Sequence, residues 1–261
     1  MSGSAGGGAG APVALISGGA SGIGRATAVR LAARGDRVVV GRFPADPHDA
    51  GETLAAVRAV GGEGVAVDLD VSSTASVDAF VQAALDAYGR VDHVVAAAGI
   101  LRRAPLGAMT DDRWDEVLGV DLGGVMRLVR ATEPHLGAGG SVVAVSSIAG
   151  GVYGWGDHAH YATAKAGVVG LIRSVGVELA PRGIRANTVI PGLIETPQSL
   201  DGVNSLGPDG LRRAAERIPA GRVGRPEDVA AVIAFLASDD AAYVTGQCIT
   251  VDGGLTVAMQ E

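Results

Sequence analysis

Short apolar runs rich in Val and Ile alternate along the chain with longer segments whose apolar residues recur at helical spacing. Continuous apolar runs of this kind belong to strands buried on both faces, and such strands sit in parallel sheets joined by crossover helices. The runs predict strands at Val13–Ser17, Arg37–Gly41, Val65–Val67, Asp92–Ala96, Ser141–Ser146, Ile184–Ile190 and Gln247–Val251. Helical period between them predicts Ile23–Arg34, Ala50–Val60, Thr74–Tyr88, Asp111–His135, Ala159–Ala180 and Pro226–Ala237, several followed by a Gly stop. The β-then-α order implies an α/β fold of Rossmann type: a doubly wound, seven-stranded parallel sheet with helices on both faces.

One connection breaks this rhythm. From Pro197 to Arg225 turn formers crowd together (Gly202, Gly207, Pro208, Gly210, Pro219), leaving space for a short helix at Leu211–Arg217. Long connections after a strand at the ligand edge are usually functional, so 196–217 is expected to be a lid over substrate. Met1–Ala11, dominated by Gly, Ala and Ser, reads as a disordered tail, and residues 12–261 read as one domain.

With 48% hydrophobic and 19% charged residues, the chain is a packed protein and not a disordered one. A net charge of −7 opposes binding to phosphate backbones, so no nucleic-acid partner is expected. Cys248 stands alone, which excludes an intrachain disulfide and points to the cytoplasm. The uncharged stretches Met1–Gly24 and Leu136–Gly156 are too rich in Gly and Ser for an export signal or membrane helix, so no membrane partner is expected. No metal site is expected either.

The first strand runs into Ser17-Gly18-Gly19-Ala20-Ser21-Gly22-Ile23-Gly24, where a helix begins at once. Glycines here let backbone approach a pyrophosphate, and the helix N-terminus offers free N–H groups to it. No Lys-Ser or Lys-Thr follows, which disfavours an ATP loop. At the end of the second strand an acid would select NAD, whereas Arg42 suits a 2′-phosphate and favours NADP(H); Asp46 and Asp49 nearby keep NAD(H) possible.

Tyr161 and Lys165 are four residues apart on one helix face, so the cation can favour the phenolate. Ser147 follows the fifth strand at the same sheet edge, where a hydroxyl can hold a carbonyl or alcohol oxygen.

These elements together resemble the short-chain dehydrogenase/reductase family from about Pro12 to Leu255. Asp70-Val71, Ala98-Gly99, Pro191-Gly192-Leu193-Ile194-Glu195-Thr196 and Val251-Asp252-Gly253-Gly254 fit its pattern as well. The resemblance implies Tyr161 as proton donor or acceptor, Lys165 as holder of the ribose and depressor of the phenol pKa, and Ser147 as orienter of the substrate oxygen. It further implies Gly18, Ser21, Gly22, Ile23 and Gly24 on the pyrophosphate, and Asp70 and Val71 near the adenine. Ala98 and Gly99 would contact the adenosine ribose region, and Pro191, Gly192, Ile194 and Thr196 the nicotinamide.

Three departures stand out. Ala96-Ala97-Ala98-Gly99 replaces the family's Asn-Asn-Ala-Gly, Asp121 replaces an Asn of the proton relay, and Ser147 and Tyr161 are one residue further apart than usual. Asp121 is therefore expected to keep the chemistry and alter its pH profile, and either the intervening loop bulges or Ser146 shares the role. His158 and His160 sit in that loop.

The expected activity is hydride transfer between nicotinamide and a small-molecule carbonyl or secondary alcohol. A ketoreductase of β-ketoacyl or polyketide-like substrates ranks first, with Arg102, Arg103 and the Arg212-Arg213 pair available to an anionic carrier or acyl-CoA if the substrate is carrier-linked. A dehydrogenase for a secondary alcohol, sugar or steroid ranks second, and a non-catalytic dinucleotide sensor is the reading from another class. The family also implies a homotetramer.

Overall fold

The computed structural model describes residues 10–259. The expected tail falls outside them except for Gly10 and Ala11. Seven parallel strands form one sheet among the described residues: β1 (Val13–Ser17), β2 (Arg37–Arg42), β3 (Glu63–Asp68), β4 (Val91–Ala96), β5 (Leu136–Val145), β6 (Arg185–Pro191) and β7 (Cys248–Val251). Their order is β3-β2-β1-β4-β5-β6-β7. The helices are α1 (Gly22–Ala33), α2 (Ala50–Ala59), α3 (Thr74–Tyr88), α4 (Asp111–Asp121), α5 (Gly123–Thr132), the single turn α6 (Ile148–Gly151), α7 (Ala159–Leu179), α8 (Pro197–Leu200), α9 (Gly207–Ala215) and α10 (Pro226–Leu236). None of the described helices is long and apolar enough to cross a membrane.

Strand alternation divides the core into two layers. Val13, Leu15, Val94 and Val142 pack with Phe80 of α3, Leu128 of α5 and Ile172 of α7. Ala14, Ile16, Val95 and Val143 pack on the opposite face with Leu31 of α1, Val57 of α2 and Ile233 of α10. Each fully buried large apolar side chain contributes about 1.5–3 kcal/mol, so both faces of the sheet are strongly specified. Helix starts follow local chemistry: Thr110 Oγ1 accepts the Arg113 N–H ahead of α4, and Asp111 and Asp112 occupy its first turn.

The expected helix Asp111–His135 is interrupted. α4 ends at Asp121, Leu122 adopts φ −116°, ψ −54°, and α5 starts at Gly123, followed by a 3-10 turn at Glu133–His135. The Gly123-Gly124 pair weakens helical continuity there. Leu122 is also seated against α7, where a Cβ on Gly167 would stand 2.8 Å from Leu122 Cδ2. In the long connection, α9 begins at Gly207 with Pro208 in its first turn, earlier than the expected Leu211.

From β1 the chain builds outward through β2 and β3, then returns to place β4 on the other side of β1. That reversal opens a crevice beyond the carboxyl ends of β1 and β4, where open α/β sheets bind ligands.

Candidate active site

At this crevice the β1–α1 turn lies against the exit of β4. Gly18 has φ +68°, and a Cβ there would come 2.7 Å from Ala98 Cα; one on Gly24 would come 2.2 Å from the Gly18 carbonyl oxygen. Only glycine permits this flat turn. Ser21 precedes α1 without a side-chain cap, so the first N–H groups of the helix remain available to an anion. Ser17 Oγ accepts the N–H groups of Ala97 (3.1 Å) and Ala98 (3.2 Å). A serine thus braces β1 to β4 in a chain that lacks the family's asparagines.

One cleft is lined by Gly18, Ser21, Gly22, Ile23, Gly24, Ala98, Gly99, Asp121, Ser147, Tyr161, Lys165, Pro191, Gly192, Ile194 and Thr196. These residues come from six separated segments of sequence. Three of the expected cofactor residues stand outside that lining. Arg42 pairs with Asp68 at 2.8 Å across β2 and β3. The Asp70 carboxylate accepts the Ser72 N–H and hydroxyl, and Val71 is buried.

The break at Leu122 delivers Asp121, which is 0% exposed, into the floor of the cleft. Its Oδ1 accepts the Ile100 N–H at 2.8 Å, and its Oδ2 lies 3.2 Å from Lys165 Nζ. Lys165 also donates to the Val145 carbonyl at 3.2 Å, and its ammonium lies 5.6 Å from the centre of the Tyr161 ring. Ser146 is turned away, donating to the Lys165 carbonyl at 2.7 Å, while Ser147 Oγ accepts the Ala149 N–H at 3.1 Å. The loop takes up the long Ser147–Tyr161 interval: it kinks at Ala149 and Gly150, tight against the Ala162 carbonyl.

The electrostatics are those of three coupled buried groups. Burial pushes the Tyr161 phenol above its ordinary value; the Lys165 ammonium opposes this, Asp121 adds to it, and hydrogen bonds with Ser147 and Gln198 favour the phenolate. Burial alone would lower Lys165, but Asp121 and Tyr161 outweigh it and hold the ammonium above its usual value. Burial also raises Asp121, against the pull of Lys165 and the Ile100 N–H. Lys165 acts on the phenol in the expected direction, yet desolvation and the Asp121 carboxylate set the net result.

Sequence reading missed Tyr153, Trp155, Gln198 and Leu206, which line the same cleft. The aromatic pair was the available signal, since only 3% of residues are aromatic and two fall in one Gly-rich loop.

The glycine turn, the uncapped start of α1 and the open cleft beside Pro191–Thr196 fit a nicotinamide dinucleotide. Comparison with known proteins agrees. The sequence profile described as Enoyl-(Acyl carrier protein) reductase matches residues 18–256. The 3-oxoacyl-(acyl-carrier-protein) reductase of Thermotoga maritima is 40% identical over 94% of this chain and 98% of its own. The cis-4-hydroxycyclohexanecarboxylate dehydrogenase of Sinomonas cyclohexanicum is 42% identical over 94% of this chain and 96% of its own. The crystal structure of levodione reductase superposes with a TM-score of 0.89 at 36% identity, covering 95% of this chain and 98% of that one. The chain belongs to the short-chain dehydrogenase/reductase family, whose members use a nicotinamide dinucleotide to interconvert carbonyl and alcohol groups.

Proposed function

We propose that this oxidoreductase is an NADPH-preferring ketoreductase of β-ketoacyl or polyketide-like substrates. The observation that carries the reading is the meeting of Ser147, Tyr161 and Lys165 in the same cleft as the glycine turn. When bound, the dinucleotide supplies the hydride. Tyr161 gives its proton to the carbonyl oxygen, and Ser147 holds that oxygen. Lys165 binds the ribose and stabilises the phenolate left behind, while Asp121 sets the charge on Lys165. Gly18, Ser21, Gly22, Ile23 and Gly24 hold the pyrophosphate; Ala98 and Gly99 hold the adenosine ribose; Pro191, Gly192, Ile194 and Thr196 hold the nicotinamide.

A second cavity shares Tyr153, Leu193 and Leu206 with the first and is rimmed by Arg213, Glu216 and Arg217. Arg102, Arg103 and Arg212 are paired with Glu116, Asp157 and Asp209. Arg213 and Arg217 pair with no carboxylate among the described residues, which supports a substrate with an anionic or carrier-linked end. The names of the Thermotoga and Sinomonas relatives both describe substrates of that kind. The Sinomonas name also favours a second reading, oxidation of a secondary alcohol.

Residues 196–217 serve as the lid in this reading, within one domain spanning 12–261. Val177 on α7 and Phe235 on α10 are exposed, which supports self-association into the family's homotetramer. The lone Cys248 suits a cytoplasmic setting. The test follows nicotinamide absorbance with NADPH and NADH against a panel of ketones. Turnover should fall by about 10²–10⁴ in Tyr161→Phe, which keeps the ring and removes only the acid. Dinucleotide binding without turnover of any ketone or alcohol would overturn the reading.

A further inference from the structure

His158 stands between two backbone carbonyls. Its Nδ1 is 2.7 Å from the Gly156 oxygen and its Nε2 is 3.0 Å from the Asn204 oxygen, and the residue is 4% exposed. Carbonyl oxygens only accept, so each ring nitrogen must donate, and an imidazole with two N–H groups is the cation. The neutral ring satisfies one of these carbonyls and leaves a lone pair facing the other.

We propose that His158, as an imidazolium, is a positioning residue that fastens the 196–217 segment over the substrate cavity and fixes Trp155 as part of the cavity wall. This deepens the proposed ketone reduction and rests on its substrate cleft. The indole of Trp155 stacks on the His158 ring, with centroids 4.0 Å apart and planes at 19°. The indole also meets the Tyr161 ring edge-on at 6.5 Å and 81°. The bond to Gly156 therefore holds the loop carrying Trp155, and the bond to Asn204 holds the segment that covers it.

The surroundings present these groups to His158. Asn204 Oδ1 accepts the Arg103 N–H at 3.2 Å, and its Nδ2 donates to Asp201 Oδ2 at 2.8 Å, which fixes the peptide whose carbonyl meets the ring. Asp157, just before His158, has φ +62°, the one positive φ at a non-glycine among the described residues. A left-handed aspartate is uncommon and persists where its surroundings over-determine it. Here its carbonyl accepts the Ala104 N–H at 2.8 Å and its carboxylate pairs with Arg103 at 2.9 Å.

The charged and titratable groups tied to the clasp are Arg103 and Asp157, paired at 2.9 Å, and Asp201, which is bonded to Asn204, with His160 two residues beyond His158. A ring without the second N–H keeps the shorter bond to Gly156 and lacks the one to Asn204, so the segment loosens and substrate is held less well. This acts on binding, separately from proton transfer at Tyr161.

Two measurements test the clasp. In Trp114→Phe protein Trp155 is the sole indole. A stacked imidazolium quenches indole emission, so emission should be higher in His158→Phe, which keeps the stack without the charge, than in the protein with His158. Equal emission from the two proteins overturns the proposal without any reference to turnover.

In kinetics with an uncharged ketone, His158→Gln and His158→Phe should raise KM roughly tenfold, the loss of one charge-assisted bond, with kcat at saturation within about twofold of wild type. Variants that keep the wild-type KM, or that lose kcat at unchanged KM, overturn it. If no ketone or alcohol is turned over, the proposed function fails and the emission difference still decides the clasp.

Discussion

Lys165 Nζ lies 3.2 Å from Asp121 Oδ2, yet that oxygen makes no hydrogen bond, so the two are joined by charge and not by a directed contact. Both side chains are nearly sealed from water, at 6% and 0% exposure. In so dry a place a carboxylate acts on every ionisation within reach.

Asp121→Asn is predicted to move the pH limb of alcohol oxidation to lower pH. The carboxylate raises the Tyr161 phenol, so its removal lets the phenolate form earlier at any pH where Lys165, which loses the same support, is still cationic. The pH dependence of kcat/KM in the oxidative direction reports this directly. An unmoved limb would remove Asp121 from the acid–base group.

Gly24→Ala should destabilise the protein by about 1–3 kcal/mol and weaken dinucleotide binding. Its new Cβ would meet the Gly18 carbonyl oxygen at 2.2 Å, and backbone there cannot step aside. Gly107→Ala is the control, with nothing within 4 Å of its Cβ, and should stay within about 0.5 kcal/mol of wild type. Thermal melts and a dinucleotide titration read both effects.

If the protein prefers NADPH as proposed, Arg42 is expected to bear on that choice through its partner. Asp68 holds it at 2.8 Å, so a 2′-phosphate must compete with a half-exposed carboxylate. Asp68→Asn is predicted to strengthen the preference for NADPH over NADH. Arg42→Ala should weaken that preference by roughly tenfold, the worth of one charge-assisted contact. Equal ratios of the two affinities in all three proteins would dismiss Arg42.

Acid should destabilise the fold through two buried histidines. Burial lowers both His93, whose Nδ1 meets Ser141 Oγ at 2.9 Å, and His160. The unfolded chain then binds protons first, so stability falls as pH drops below the ordinary histidine value of about 6.5 toward the depressed folded values. Urea midpoints across this window should fall, and His93→Asn should flatten part of the decline.

Much of the fold was legible because each buried strand writes itself as an apolar run, as at Val13–Ser17 and Arg185–Pro191. The interruption at Leu122 was not, because helical period continues through Gly123 and Gly124 while the break depends on packing against α7. Among site residues, the glycine turn and the Tyr161–Lys165 spacing are local patterns that carry their own meaning. Trp155 and Gln198 reach the cleft only through loops fixed by distant partners, such as His158 and Asn204, 46 positions apart. Strand register decides Arg42, since pairing β2 with β3 sets it opposite Asp68.

The seat of Leu122 on Gly167 has a bearing on how such an enzyme can diverge. Gly167 lies one helical half-turn beyond Lys165, and Leu122 directly follows Asp121, so a single helix–helix joint governs the spacing of acid and lysine. A methyl group added at 167 would pry the joint open and retune proton affinity without altering any atom that meets substrate. Selection for a new working pH therefore has a handle that leaves the substrate pocket untouched.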